Sequence, residues 1–165
     1  MTTLNQIRSH SPCQKGWVKL LKHLNKTSAD DEPLSLLTVL TPNGLDDAVW
    51  CLRTEPTPER TQRFALSVAR RVEHLHPQAK ATLDVVERYL SGQATKVELE
   101  AARVTAYAAD DAAAATYATY AAGAAAAAAA TAAANYAAGA AADGVAADGV
   151  AEREAQAQIF REIFA

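Results

Sequence analysis

Apolar residues recur through the first ninety-odd positions at the spacing of helix faces. Trp17, Leu20, Leu21 and Leu24 form one stripe, with Lys15, Lys19, Lys22 and Lys26 mostly on the other side, an amphipathic helix by its period. Ser11-Pro12-Cys13-Gln14 ahead of it reads as a capping box with Pro12 at the first helical position, where a missing N–H costs nothing. Before it, residues 2–8 read as a lead-in of one or two helical turns. Residues 34–40 are a short apolar run whose period does not separate strand from buried helix; the helical neighbours favour helix. Thr41-Pro42-Asn43-Gly44 reads as a turn. Residues 45–53 follow as a short helix with Leu45, Val49, Trp50 and Leu52 inward.

Thr57-Pro58 starts the next helix, predicted to about Leu75 with Phe64, Leu66, Val68, Val72 and Leu75 as its apolar set. His76-Pro77 breaks it. Residues 79–90 form another, with Leu83, Val86, Tyr89 and Leu90 inward, closed by Ser91-Gly92. Thr95-Lys96-Val97-Glu98 is then a second capping box.

Beyond it the pattern changes. Residues 95–142 are mostly alanine, with Ala124 to Ala130 unbroken, and alanine is the best helix former. Each alanine buries little apolar area, but small side chains allow close backbone approach. This region is therefore expected to pack alanine face to alanine face, within the chain or across a dimer. Two repeats lie in or next to it. Tyr120-Ala121-Ala122-Gly123 recurs as Tyr136-Ala137-Ala138-Gly139, and Asp143-Gly144-Val145 as Asp148-Gly149-Val150. They fit either replication slippage or a hairpin that brings the tyrosine segments together. Asp-Gly twice in succession marks 143–149 as the expected interruption. The end, Ile159-Phe160-Arg161-Glu162-Ile163-Phe164, is a helical apolar patch expected to dock on the N-terminal core or on a second chain. The predicted fold is all-α, a bundle of short helices in 1–92 followed by long alanine-rich helices in 93–165, packed on it as a hairpin.

Charge and cysteine content narrow the function. The net charge of −3 divides unevenly: 1–92 carry +2 and 93–165 carry −5. Such a chain has no basic footprint for nucleic acid. The start, Met1-Thr2-Thr3-Leu4-Asn5-Gln6, lacks the charged and apolar blocks of a secretory signal. Asp110, Asp111, Asn135 and Asp143 interrupt the alanine run as a membrane span. A cytoplasmic protein is the expectation. Cys13 and Cys51 do not make a disulfide framework.

Candidate chemistry is sparse. Cys13, at a predicted helix start with His10 or His23 nearest in sequence, would be the nucleophile of an enzyme, but a buried small residue is the simpler expectation for it and for Cys51. His74 and His76 with the cysteines match no common zinc spacing. The doublets Asp30-Asp31, Asp46-Asp47 and Asp110-Asp111 do not converge, because neighbours on a helix point about 100° apart. No phosphate-binding glycine loop is present, and neither metal nor cofactor is expected. The large groups left over are Tyr107, Tyr117, Tyr120 and Tyr136. With Asp110, Asp111, Phe160 and Phe164, they are the candidate contacts for a protein partner.

At residues 11–24, 30–37 and 43–53, from Ser11-Pro12-Cys13-Gln14-Lys15-Gly16-Trp17 to Ala48-Val49-Trp50-Cys51-Leu52-Arg53, the chain resembles a family of bacterial and phage immunity proteins. Members continue through a segment like Ala94-Thr95-Lys96-Val97-Glu98-Leu99 into an alanine-rich tail. The resemblance implies a small helical protein that binds and neutralises another protein. The expectation is a non-enzymatic binder of a toxin, or a phage-encoded inhibitor of a host-defence component. An enzyme using Cys13, and a structural role through alanine-helix assembly, are the competing classes.

Overall fold

A computed structural model describes residues 1–71, 73–75, 80–107 and 149–165. The structure is helical. Its one β feature among the described residues is an isolated antiparallel bridge between Thr2 and Leu34.

The short helices α1 (Leu4–Ser9) and α2 (Gln14–His23) come first. Thr3 caps α1 by accepting from the Gln6 N–H at 3.1 Å. Ser11 does not cap α2, as its box signature predicted. It lies at φ 55° and its N–H donates to the Arg8 carbonyl at 3.0 Å, so it closes α1 as a left-handed C-terminal residue does. The cap of α2 is Cys13, whose Sγ accepts from the Gly16 N–H at 3.3 Å, and Pro12 stands outside the helix. Asn25, at φ 53°, ends α2: its own N–H and that of Lys26 return to Lys22 and Leu21, satisfying carbonyls the helix leaves open. Lys26 then holds Asp30 and Glu32, so the first acidic doublet sits in a lysine-tied loop.

The apolar run resolves as α3 (Leu36–Asn43), capped by Ser35, with Leu36, Val39 and Leu40 buried. The expected turn at 41–44 shrinks to one residue. Pro42 lies inside the last turn of α3, where it forfeits one backbone bond close to the end. Gly44 alone reverses the chain, at φ 90°, a conformation glycine reaches without Cβ strain. Next come α4 (Leu45–Trp50) and a 3₁₀ turn (Cys51–Thr54). Pro58 opens α5 (Pro58–Arg71), which is followed by a 3₁₀ turn (Glu73–Leu75). The predicted break at His76-Pro77 lies outside the described residues.

In α6 (Lys80–Leu90), Leu83 and Val86 are buried, as the pattern requires. Gly92, at φ 75°, ends it with paired returns from Gly92 to Tyr89 and from Gln93 to Arg88. The second capping box forms in full at the start of α7 (Lys96–Tyr107). The Glu98 N–H donates to Thr95 Oγ1 at 3.2 Å, and Thr95 N–H to Glu98 Oε2 at 2.7 Å. The Thr95 N–H, and then the Thr95 hydroxyl, which donates to the same oxygen at 2.8 Å, hold the Glu98 carboxyl below the usual range. The last element, α8 (Gly149–Phe164), packs against α5, α3 and α4.

The main core lies where α3, α4, α5 and α8 meet. Val39, Val49, Phe64 and Val68 are buried there with Ala157, Phe160 and Phe164. The core thus draws on both sides of the 92/93 boundary. Arg60 fixes the end of α8 by donating from Nε and Nη2 to the Ile163 carbonyl, at 3.0 and 2.6 Å, satisfying one of its terminal acceptors. A smaller cluster, Val86 with Leu99, joins α6 to α7. The alanine region beyond Tyr107, both Tyr-Ala-Ala-Gly segments and the expected hairpin fall at 108–148, outside the described residues, while Gly149 and Val150 of the second repeat open α8. Among those described, no helix is long and apolar enough to cross a membrane.

Candidate functional site

Two sets of residues with one spacing face each other across the N-terminal helices. On α2 and its cap they are Cys13, Gly16, Trp17 and Leu20. Across the α3–α4 junction they are Asn43, Asp46, Asp47 and Trp50. Steps of three and four residues bring side chains to one face within α2 and within α4, and Asn43 joins the second set from the end of α3. The two sets enclose a cavity of about 300 Å³. Ile7 and Val39, both buried, complete its apolar lining, and Trp17 and Trp50 are half-buried in it. Cys13 and Asp46 are exposed on it, and Cys51 is buried against it.

Asn43 ties the two sets together. Its Nδ2 donates to the Gly16 carbonyl at 2.8 Å and to Asp47 Oδ2 at 2.7 Å. Both neighbours are acceptors, which fixes the orientation of the carboxamide. Its Oδ1 is buried with no hydrogen-bond partner among the described residues, a cost of roughly 1–3 kcal/mol for such a group. Glycine at position 16 permits this approach: a Cβ there would stand 2.4 Å from Asp47 Oδ2 and 3.1 Å from Cys13 Sγ.

The acidic pair at the start of α4 is split by its surroundings. Asp46 forms an ion pair with Arg153 of α8. Asp47 has Asn43 as its hydrogen-bond partner and no cation among the described residues. Its charge is felt inside the site: burial first, and then the Asp47 carboxylate, push the Cys51 thiol up to about 12. A second guanidinium lies on the aromatic wall, where Arg53 sits 3.8 Å above the Trp50 ring and its Nε donates to the Trp50 carbonyl.

The predicted contact residues fall elsewhere. Phe160 and Phe164 are 0% and 4% exposed and stack on each other against Phe64. They serve the chain's own core, one of the two destinations expected of the terminal patch, and offer no surface to a partner. Tyr107 ends α7, and its side chain is outside the described set. Asp110, Asp111, Tyr117, Tyr120 and Tyr136 are outside it altogether. Cys13 is exposed, against the expectation that it is buried, because it caps α2 instead of packing beneath it. His10 and His23 are exposed. His74 Nδ1 lies 3.1 Å from the Arg71 carbonyl, and His76 is not described. Among the described residues no three or more His, Cys, Asp or Glu side chains gather where a metal could be held.

The cavity itself was missed at the sequence level. The signal was available in the matched spacing of 13/16/17/20 and 43/46/47/50, each set with one tryptophan. Comparison with protein-family models, curated proteins and solved structures gives no match.

Proposed function

We propose that the protein is a non-enzymatic binder that neutralises another protein, a toxin or a host-defence component, as the sequence resemblance implies. One observation supports this above others: the chain has two tryptophans, and both line the same surface cavity. Tryptophan is the residue most enriched where binding energy concentrates at protein interfaces. A half-buried indole presents a large rigid face at little entropic cost. The remaining lining is apolar with a few acceptors, the composition of a recognition site.

The test uses the full-length tagged chain in cells of its native host. Purified chain is compared with chain carrying a bulky maleimide on Cys13, which is exposed on the cavity while Cys51 is buried. The reading expects a stoichiometric partner that the blocked chain loses. Recovery of no stoichiometric partner overturns it. Equal recovery by both forms moves the contact away from this cavity.

A further inference from the structure

We infer that the cavity between α2 and α4 is the socket for a single arginine side chain of the bound partner, its guanidinium on the Asp47 carboxylate and its stem between Trp17 and Trp50. This rests on the reading of the cavity as a protein-docking site, and adds what enters it.

Two lining residues already have arginines of the chain itself beside them. Arg153 sits on Asp46, and Arg53 lies over the Trp50 ring at 3.8 Å. The second is a guanidinium contact with an aromatic face, and the first sets a guanidinium beside a carboxylate. The equivalent groups beside them, Asp47 and Trp17, hold no cation among the described residues. They are one of each kind, on opposite sides of the same cavity. A cavity of about 300 Å³ is at the small end of ligand sites. It suits one side chain better than a helix or a polymer. Its walls are apolar, which fits the aliphatic stem of an arginine. Lysine offers no planar fork to satisfy two acceptors together and stacks less well on an indole.

Since the two tryptophans are the only ones in the chain and both line this cavity, emission excited selectively at tryptophan, beyond tyrosine absorption, reports on it. The probe is the peptide acetyl-Ala-Arg-Ala-amide, titrated at millimolar concentration into the full chain. Its citrulline counterpart has the same shape without charge, and its norleucine counterpart keeps only the stem. The arginine peptide should shift the emission saturably and slow alkylation of Cys13 by iodoacetamide. The citrulline peptide should bind about tenfold more weakly, the value of one charge-assisted contact. Asp47→Asn should remove that difference. Equal binding by arginine and citrulline, tighter binding by norleucine, or no saturable change overturns the inference. The comparison on unaltered chain decides even where Asp47→Asn does not fold. A host partner that binds Asp47→Asn undiminished keeps the binder reading and removes the arginine. Saturable arginine binding with no partner from the host does the reverse.

Discussion

The rings of Phe64 in α5 and Phe160 in α8 meet edge to face, centroids 5.4 Å apart and planes 82° apart. Both are fully buried. This contact joins residues on either side of the alanine-rich region, so the C-terminal helix is part of the core and not an appendage to it. Phe164 stacks on Phe160 at 4.5 Å and carries Arg60 over its ring. Removing the central ring leaves a cavity among α3, α4 and α5. Phe160→Ala should cost about 3–5 kcal/mol, a large share of the roughly 5–15 kcal/mol of an ordinary domain. Thermal and urea unfolding followed by circular dichroism measure it. A change below about 1 kcal/mol would mean that α8 is not seated in the core.

A second prediction concerns the start of the same helix. Arg71 donates from Nε to both Glu152 oxygens, at 3.1 and 3.0 Å, and Gln156 Nε2 donates to Oε1 at 3.1 Å. Glu152 is 6% exposed on its side chain and Arg71 is 41% exposed. The pair stands between a surface bridge worth little and a buried one whose breaking costs several kcal/mol. Arg71→Ala should therefore destabilise by about 2 kcal/mol, chiefly because Glu152 stays buried without its cation. Adding Glu152→Gln should recover most of that loss. A double variant as unstable as the single one would show that Arg71 acts by packing alone.

Capping chemistry was readable from the sequence because it is local. Thr95 and Glu98 sit three residues apart and bond each other's backbone N–H groups. Pro58 opens α5 and Gly92 closes α6 for equally local reasons. The same local logic failed at Ser11 and Pro42. Ser11 had two helices to serve and went to the earlier one. Pro42 carries a turn signature but lies inside the last turn of α3, so Gly44 two residues on was enough to reverse the chain. The site was hidden for another reason. Trp17, Asp47 and Asn43 are unremarkable singly, and their value comes from two helices meeting, which periodicity within one helix does not show. Alanine abundance also drew the predicted contacts toward residues the cavity does not use.

The two cysteines should differ sharply in reactivity and in their effect on pH stability. Iodoacetamide should modify Cys13 on the folded chain and reach Cys51 only after unfolding, since reaction needs an accessible thiolate. Burial and Asp47 push the Cys51 thiol up from 9.0 to about 12. A raised folded value means its contribution is intact below the unfolded pKa and declines as pH rises through the window from 9.0 to about 12. Within that window Cys51 alone gives a slope of about −1.4 kcal/mol per pH unit. Urea midpoints for the parent and Cys51→Ala, compared from about pH 8 to about pH 11, isolate this from other alkaline groups. Parallel curves would place the thiol in water.

The sharpest test of how the cavity is built is Gly16→Ala. On helix propensity alone the change should stabilise α2 by up to about 1 kcal/mol. Geometry opposes it, since the new Cβ would lie 2.4 Å from Asp47 Oδ2 and 3.1 Å from Cys13 Sγ. The nearer atom is the end of a side chain, so the carboxylate can turn aside without moving the backbone. That turn would break the 2.7 Å bond from Asn43 and leave one contact of its bridge, to the Gly16 carbonyl. The two effects offset, and net stability should stay within about 1 kcal/mol of the parent. The tryptophan fluorescence, however, should change, and binding of an arginine peptide should weaken about as much as in Asp47→Asn. Melting temperature and peptide titration on one sample separate the outcomes. A variant that loses several kcal/mol would show that the backbone, not the Asp47 side chain, meets the added methyl. One that binds the peptide as the parent does would show that Asp47 need not hold its present position.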